Sequence, residues 1–300
     1  MDELNRKTTN NIDVCASTPL VLEGGGFRGM YTAGILDRFL EHRMNFGYAI
    51  GVSAGAAYAV SYVSRQHGRN LEVNRRFTAD PRYFGFMNFI RKRTFFDWEF
   101  IYKEVPQKHV LFDYDAFRDS STRLRIGITN CATGAAEFRD GNGLSPDGFK
   151  ALLSASSALP FIAQKITIDN QYYMDGGISE SIPLDQAFAD GYSRAVVILT
   201  RNAGYRKSPS RFTRLVRATY RNYPHLVEAL ATRAERYNAM LDRLDALEIE
   251  GRVFIIRPQE PPTVSRTENN PEKLEALYYT AQREFDQMLP KLKAWIGNGI

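Results

Sequence analysis

Histidine, cysteine and tryptophan are scarce in this chain: four, two and two in 300 residues. Two distant cysteines, Cys15 and Cys131, do not make a disulfide framework, which points to a reducing compartment. No apolar run approaches the length of a membrane-spanning helix. The polar stretch Met1 to Ser17 lacks the apolar core of a signal peptide and reads as a flexible leader. A cytoplasmic location follows as the expectation, with room for peripheral contact at the inner membrane surface. The few histidines also narrow the chemistry, because a serine hydrolase that uses a histidine base must find it among His42, His67, His109 and His225.

What is present is ample for a core. Hydrophobic residues make up 44% of the chain and aromatics 12%, enough for one large domain or a domain with an appendage. There is no internal repeat. Charge is uneven: residues 1–200 balance, so the net +5 arises wholly in residues 201–300. Arg201 to Val227 holds seven basic residues and no acid. Ser208-Pro209 reads as a helix start, with Ser as N-cap and Pro at N1. From there Arg211, Arg214, Arg217 and Arg221 fall on one arc, and Phe212, Leu215, Val216, Tyr220 and Tyr223 on the other. Such a basic amphipathic helix either lies on an anionic membrane or turns its apolar side to the protein's own core. No nucleic-acid-binding motif accompanies the arginines, so no nucleic acid is expected.

Three short motifs carry the chemistry. In Gly51-Val52-Ser53-Ala54-Gly55, an apolar run Tyr48-Ala49-Ile50 leads in and an Ala-rich, helix-compatible stretch to Val63 leads out. That is the context of a nucleophile elbow, with Ser53 at the apex over a helix N-terminus. There free N–H groups and the helix dipole favour negative charge. In Gly24-Gly25-Gly26-Phe27-Arg28-Gly29, a glycine loop joins the apolar run Pro19–Leu22 to a helix from Met30 to His42, with Tyr31, Ile35, Leu36 and Phe39 on its apolar side. The loop fits either a dinucleotide fingerprint or an oxyanion hole. A dinucleotide site needs a carboxylate at the tip of the next strand, and this strand ends in Gly51-Val52-Ser53, with Glu41 left on the preceding helix. Arg28 would add positive charge near an oxyanion. In the third motif, Asp175-Gly176-Gly177 follows the strand-like Gln171 to Met174; Asp175 is either a turn former or a base. Only His225 follows it in the chain, at the start of a charged helix and in no catalytic loop, so a Ser–Asp dyad is the better reading.

The Gly-Gly-Gly-Phe-Arg-Gly loop, the Gly-Val-Ser-Ala-Gly elbow and the Asp-Gly-Gly triplet, in that order and spacing, resemble those of patatin-like phospholipases. Ser154-Ala155-Ser156-Ser157-Ala158-Leu159-Pro160-Phe161 resembles the stretch before that family's aspartate. The resemblance covers about residues 18–200. It implies a lipid acyl hydrolase with Ser53 as nucleophile, Asp175 as base, Gly24, Gly25, Gly26, Arg28 and Gly29 as the oxyanion loop, and no metal or other cofactor. Gly51 and Gly55 frame the elbow, and Gly176 and Gly177 the aspartate. Residues 205–300, with Glu268-Asn269-Asn270-Pro271-Glu272-Lys273-Leu274, resemble the C-terminal extension of a bacterial subgroup of that family.

Strands alternate with helices along the chain, which argues an α/β sheet between helices in three layers. Further strands are predicted at Leu124–Thr129, Ala195–Leu199 and Val253–Ile256. Further helices are predicted at Ser145-Pro146 to Ser157, Leu230–Glu248 and from Pro271. The expected organisation is a leader over 1–17, a patatin-like α/β hydrolase domain over 18–204 and a mainly helical extension over 205–300. The aromatic-rich stretch Arg65–Asp119 reads as an insertion of short helices and loops, serving either as an acyl-chain groove or lid or as ordinary packing. The substrate class is a lipid or small ester. The rival readings are a dinucleotide-binding protein and a non-catalytic membrane- or protein-interaction adaptor.

Overall fold

A computed structural model describes residues 15, 17–210 and 213–298. Eight strands form one sheet: β1 Pro19–Leu22, β2 Tyr48–Val52, β3 Arg123–Asn130, β4 Ala136–Asp140, β5 Ile166–Ile168, β6 Gln171–Asp175, β7 Ala195–Ile198 and β8 Val253–Ile256. The parallel core runs β3-β2-β1-β7-β8, and β4, β5 and β6 add antiparallel pairings around β3. The short apolar runs of β1, β2 and β7 are fully buried because helices cover both faces. Alternate residues feed opposite layers: Leu20, Leu22, Val196 and Ile198 join one core, and Val21, Ile50, Val197 and Leu199 the other. The fold is the three-layer α/β/α sandwich expected, with a helical C-terminal region.

Helices α1 Met30–Glu41 and α2 Ala54–Val63 follow β1 and β2; α3 Arg69–Phe77, α4 Phe86–Lys92, a π-helix over Phe100–His109 and α5 Tyr114–Arg118 fill the aromatic insertion. Helix α6 spans Pro146–Ser157, with Ser145 Oγ accepting the Gly148 N–H as the Ser-Pro start predicted. Helix α7 Leu184–Ala189 precedes β7, and α8 Thr213–Thr219, α9 Pro224–Ala231, α10 Arg233–Ile249 and α11 Pro271–Gly297 follow it. The residues after 204 share the main sheet, because β8 pairs with β7 in parallel along Ala195–Ile198.

The basic helix predicted from Ser208-Pro209 is not formed there. The chain is irregular up to residue 210, and Asn238 holds it open by accepting from the Lys207 N–H at 2.8 Å and donating to the Lys207 carbonyl at 3.0 Å. These bonds from α10 override the local N-cap signal. Among the described residues of this segment only the seven-residue α8 is helical, with Arg214, Leu215 and Arg217 exposed and Val216 buried. Tyr220 is buried just beyond it and Arg221 stands in the following turn. Arg211 and Phe212 lie outside the described residues. The helix expected over 230–248 is split at Thr232 into α9 and α10.

Helix α11 closes one face by lying on α1. Tyr278 Oη donates to the buried Asp37 Oδ2 at 2.6 Å and Tyr31 Oη to Glu284 Oε2 at 2.8 Å. Burial raises the Asp37 carboxyl, and the bonds from Tyr278 and from the Gly68 N–H oppose that rise. Tyr278→Phe removes a donor from a buried carboxylate, so unfolding free energy should fall by about 1–3 kcal/mol. The lost bond favours the charged form, so the loss should be larger at neutral pH than at an acid pH below the titration of the raised carboxyl, where the group is protonated. Denaturant unfolding at both pH values checks this.

Candidate active site

Ser53 and Asp175 meet because two strands share one edge of β3. Strand β4 lines one edge of β3 from Arg125 to Thr129. On the other edge β2 pairs as far as Val52 with Gly127, and β6, running the opposite way, takes over one residue later at Asp175 with Ile128. The C-terminal ends of β2 and β6 therefore abut. At that junction Gly176 passes so near the Gly127 carbonyl that a Cβ would stand 2.3 Å from it. The chain then turns away on both sides. After β2 it bends through Ser53, whose φ of 53° and ψ of −126° are rare for a residue with a side chain. Gly51 and Gly55 flank that bend, and Gly55 lies against the Leu22 and Glu23 carbonyls.

Ser53 Oγ donates to Asp175 Oδ2 at 2.7 Å, and Asp175 Oδ1 accepts the Gly177 N–H at 2.7 Å. Both residues are buried. A neighbour that motif reading did not assign a role to holds them: Ser156 Oγ on α6 accepts the Ser53 N–H at 2.8 Å and donates to the Gly127 carbonyl at 2.7 Å. The Ala158 carbonyl accepts the Asp175 N–H at 3.0 Å. Both come from the Ser154–Phe161 stretch singled out above, so the signal was present in the sequence without the contact.

The glycine loop runs past the serine. The Gly24 N–H is taken by the Ser181 carbonyl, but those of Gly25 and Gly26 have no acceptor among the described residues. The Ala54 N–H opens α2 beside them, in the first turn where helix donors are unpaired. Gly26 has φ +59°, and a Cβ there would come within 2.5 Å of the Arg266 carbonyl, which in turn accepts the Phe27 N–H. Gly29 packs on the Tyr58 ring. Arg28 is buried and does not line the cavity at Ser53; it lies near Glu23, Tyr205, Arg201 and Arg266. His225 is exposed on α9, while Ser53 bonds to Asp175. Glu41, the distant carboxylate of a dinucleotide reading, is tied to Arg38 and His67.

Ser53 and Gly26 open into an apolar cavity of about 120 Å³, walled by the aromatic insertion with Tyr83, Phe96, Trp98 and Tyr102, and by Phe149 and Leu153 of α6. Among the described residues no cluster of three His, Cys, Asp or Glu could hold a metal ion, and no helix is long and apolar enough to cross a membrane.

The family model for patatin-like phospholipases matches residues 20–188, which hold the elbow, the glycine loop and the aspartate. The chain belongs to the patatin-like phospholipase family. A second model, a domain of unknown function (DUF6363), matches residues 223–297. The uncharacterized protein YjjU of Escherichia coli (strain K12) is 30% identical over 203 residues, covering 66% of this chain. The chain spans 56% of that relative's length. The crystal structure of VipD from Legionella pneumophila aligns with a TM-score of 0.45 and 13% identity, over 92% of this chain and 67% of that one.

Electrostatics around Asp175 oppose one another. Burial raises its carboxyl above the ordinary value, and Arg233, the Ser53 hydroxyl, the Gly177 N–H and Arg266 pull it down. A raised carboxyl is a stronger base once ionised, and it is ionised only above its own pKa. Labelling of Ser53 by a fluorophosphonate should therefore rise with pH along a limb lying above the usual carboxylate range. Arg233→Gln removes the largest counterweight and should move that limb to higher pH. A limb that stays in place would separate Arg233 from Asp175.

Proposed function

We propose that this protein is a serine lipid acyl hydrolase that cleaves a carboxylic ester through an acyl-enzyme on Ser53, with Asp175 as general base. The observation that carries this reading is the 2.7 Å hydrogen bond from Ser53 Oγ to a buried carboxylate, made at the wall of an apolar cavity. As Ser53 Oγ attacks the ester carbonyl, its proton passes to Asp175 Oδ2. The free N–H groups of Gly25 and Gly26, with that of Ala54, face the oxygen that gains charge. Asp175 then returns the proton to the departing alcohol oxygen. Water attacks the acyl-enzyme by the same steps in reverse and releases the fatty acid. The acyl chain occupies the aromatic-walled cavity. Residues 18–204 carry the reacting groups, and residues 205–300 supply Arg233 and Arg266 beside them.

Ser53→Ala and Asp175→Asn should each abolish hydrolysis of a short-chain ester. The double variant should be little worse than either, since residues acting as one unit are not additive. His225→Ala should change kcat by less than about tenfold. Gly26→Ala should lower kcat by about 10²-fold or more, through strain at positive φ and displacement of an oxyanion donor. Near-normal turnover by Asp175→Asn would sink the dyad, and nicotinamide binding without Ser53 labelling would favour the dinucleotide reading.

The same reading places the protein at a membrane surface on the cytoplasmic side, a setting that suits its two buried free thiols. The basic segment after Arg201 gives less support than its sequence suggested, because it forms only the short α8. Helix α4 gives more. Phe86, Met87 and Ile90 are exposed on it beside Arg91, Lys92 and Arg93, and its neighbours Tyr83 and Phe96 wall the cavity. Apolar side chains flanked by cations suit insertion into an anionic surface. Phe86→Asp with Ile90→Asp should weaken co-sedimentation with anionic vesicles while leaving turnover of a soluble ester nearly unchanged. Equal sedimentation of variant and parent would remove α4 from this role.

A further inference from the structure

The apolar cavity that begins at Ser53 ends beside a charge. Ala54, Ala57, Tyr58 and Val60 line it in turn, so it follows α2 away from the serine for nearly two turns. Arg69, the first residue of α3, lines it as well. Its Nη1 donates to Ser61 Oγ at 3.5 Å, just past Val60 on the same helix. From Ser53 to Ser61 the helix rises by about 12 Å, so the guanidinium stands roughly that far from the nucleophile.

Arg69 is held in place without being neutralised. Nε donates to the Leu111 carbonyl at 3.2 Å and Nη2 to the Val110 carbonyl at 3.0 Å, and the group stands 5.0 Å from the centre of the Phe112 ring. All of these partners are neutral, and each Nη carries a second N–H. Among the described residues no carboxylate pairs with Arg69, and the cavity lining holds no Asp or Glu. Burial pushes the guanidinium down to about 10, and no acidic side chain other than the Tyr114 and Tyr83 hydroxyls offsets this. A cation so placed is completed by an anion that brings two oxygens to it.

Tyr83 stands between the reacting pair and Arg69. Tyr102 is near enough to Asp175 to feel its charge, and Tyr83 is near both Tyr102 and Arg69. The hydroxyls of Tyr58 and Tyr102 have partners at long range, Asn74 Oδ1 at 3.5 Å and Ser157 Oγ at 3.3 Å. That of Tyr83 has no hydrogen-bond partner among the described residues, and burial raises it well above the ordinary range. The far half of an otherwise apolar cavity thus offers two kinds of donor, the Tyr83 hydroxyl and the second N–H groups of Arg69.

We propose that Arg69 and Tyr83 form a carboxylate subsite at the far end of the acyl cavity, and that the preferred acyl group is a chain of about eight carbons, matched to the rise along α2, that ends in a carboxylate, so that the substrate is a half-ester of a dicarboxylic acid. This rests on the reading of Ser53 and Asp175 as the reacting pair. A carboxylate at that depth takes N–H groups from Arg69 and the hydroxyl of Tyr83. A plain alkyl chain of the same length would set its methyl end against the guanidinium and leave both donors unused. A longer one would have to pass the clamp that Arg69 makes with Val110 and Leu111.

The test compares kcat/KM of the full-length protein at neutral pH on 4-nitrophenyl octanoate and on the 4-nitrophenyl half-ester of octanedioic acid. The wild type should favour the half-ester by at least about tenfold, the size expected of a charge-assisted hydrogen bond. Arg69→Gln should abolish that preference and Arg69→Lys should keep part of it. Tyr83→Phe removes a hydroxyl that has no partner, so it should reduce the preference about threefold or more without lowering Tm. Arg69 also ties down Val110 and Leu111, so Tyr83→Phe decides the matter if Arg69→Gln fails to fold. Calorimetry on Ser53→Ala, with the monomethyl esters of octanedioic acid and methyl octanoate as probes, should give the same ranking without turnover. Equal rates on the two esters, a wild-type preference for octanoate, or a half-ester preference that survives both Arg69→Gln and Tyr83→Phe overturns the proposal. Tighter binding of the half-ester with hydrolysis of neither would sink the Ser53 mechanism and leave the carboxylate subsite standing.

Discussion

The meeting of β2 and β6 end to end on one edge of β3 is the constraint on which the site depends. Parallel and antiparallel partners succeed one another there at Gly127 and Ile128, so both strands must stop and both chains must turn. Ser53 and Asp175 are the first residues free of the ladder on one side and the last in it on the other. The hydrogen-bond register therefore fixes their separation, and flexible loops do not. The left-handed bend at Ser53 costs about 1–3 kcal/mol of backbone strain, and it persists because the surrounding sheet and α2 determine it. Ser156 adds a further hold, tying the serine backbone to β3 across α6.

Around that junction the protein sets two environments side by side. One is apolar, walled by the aromatic insertion and reached from Ser53. The other carries the guanidinium groups of Arg233 and Arg266, from segments after residue 204. Asp175 lies between them, and both act on its proton affinity: burial raises it, Arg233 and Arg266 lower it. A carboxylate base in a wholly apolar site would stay protonated, and one ringed by cations would be too weak. The balance ties the residues after 204 to the chemistry of the residues before them. The same segment completes the sheet through β8 and covers α1 through α11.

Much of this was legible in the sequence, and the legible parts share a cause. Gly24, Gly26, Gly51, Gly55 and Gly176 mark places where backbone meets backbone, and Gly25 and Gly177 places where side chains press on it, requirements met by a residue without a side chain. Ser145-Pro146 marked the start of α6 because its cap is made within four residues. The buried strands β1, β2 and β7 read as apolar runs because both their faces are covered. Strands β4 and β5 were missed; they are short and half-exposed, with no strong pattern to announce them. The long basic helix was expected and not found, because Asn238, some thirty residues away in sequence, bonds both backbone groups of Lys207 and holds it in an irregular stretch.

By itself the sequence determined the turns, the strand–turn–helix setting of Ser53 and the candidacy of Asp175, since each is written in residues adjacent along the chain. Tertiary structure decided the rest. The contact between Ser53 and Asp175 joins residues 122 apart and needs the shared edge of β3. The roles of Ser156, Arg233 and Arg266 were invisible because a side chain's partner across the fold leaves no local pattern. The basic excess of the C-terminal third was plain in the composition, but its division into exposed arginines such as Arg214 and Arg217 and half-buried ones such as Arg233 and Arg266 was not. Burial and proximity, which set the energy of a charge, are properties of the folded chain alone.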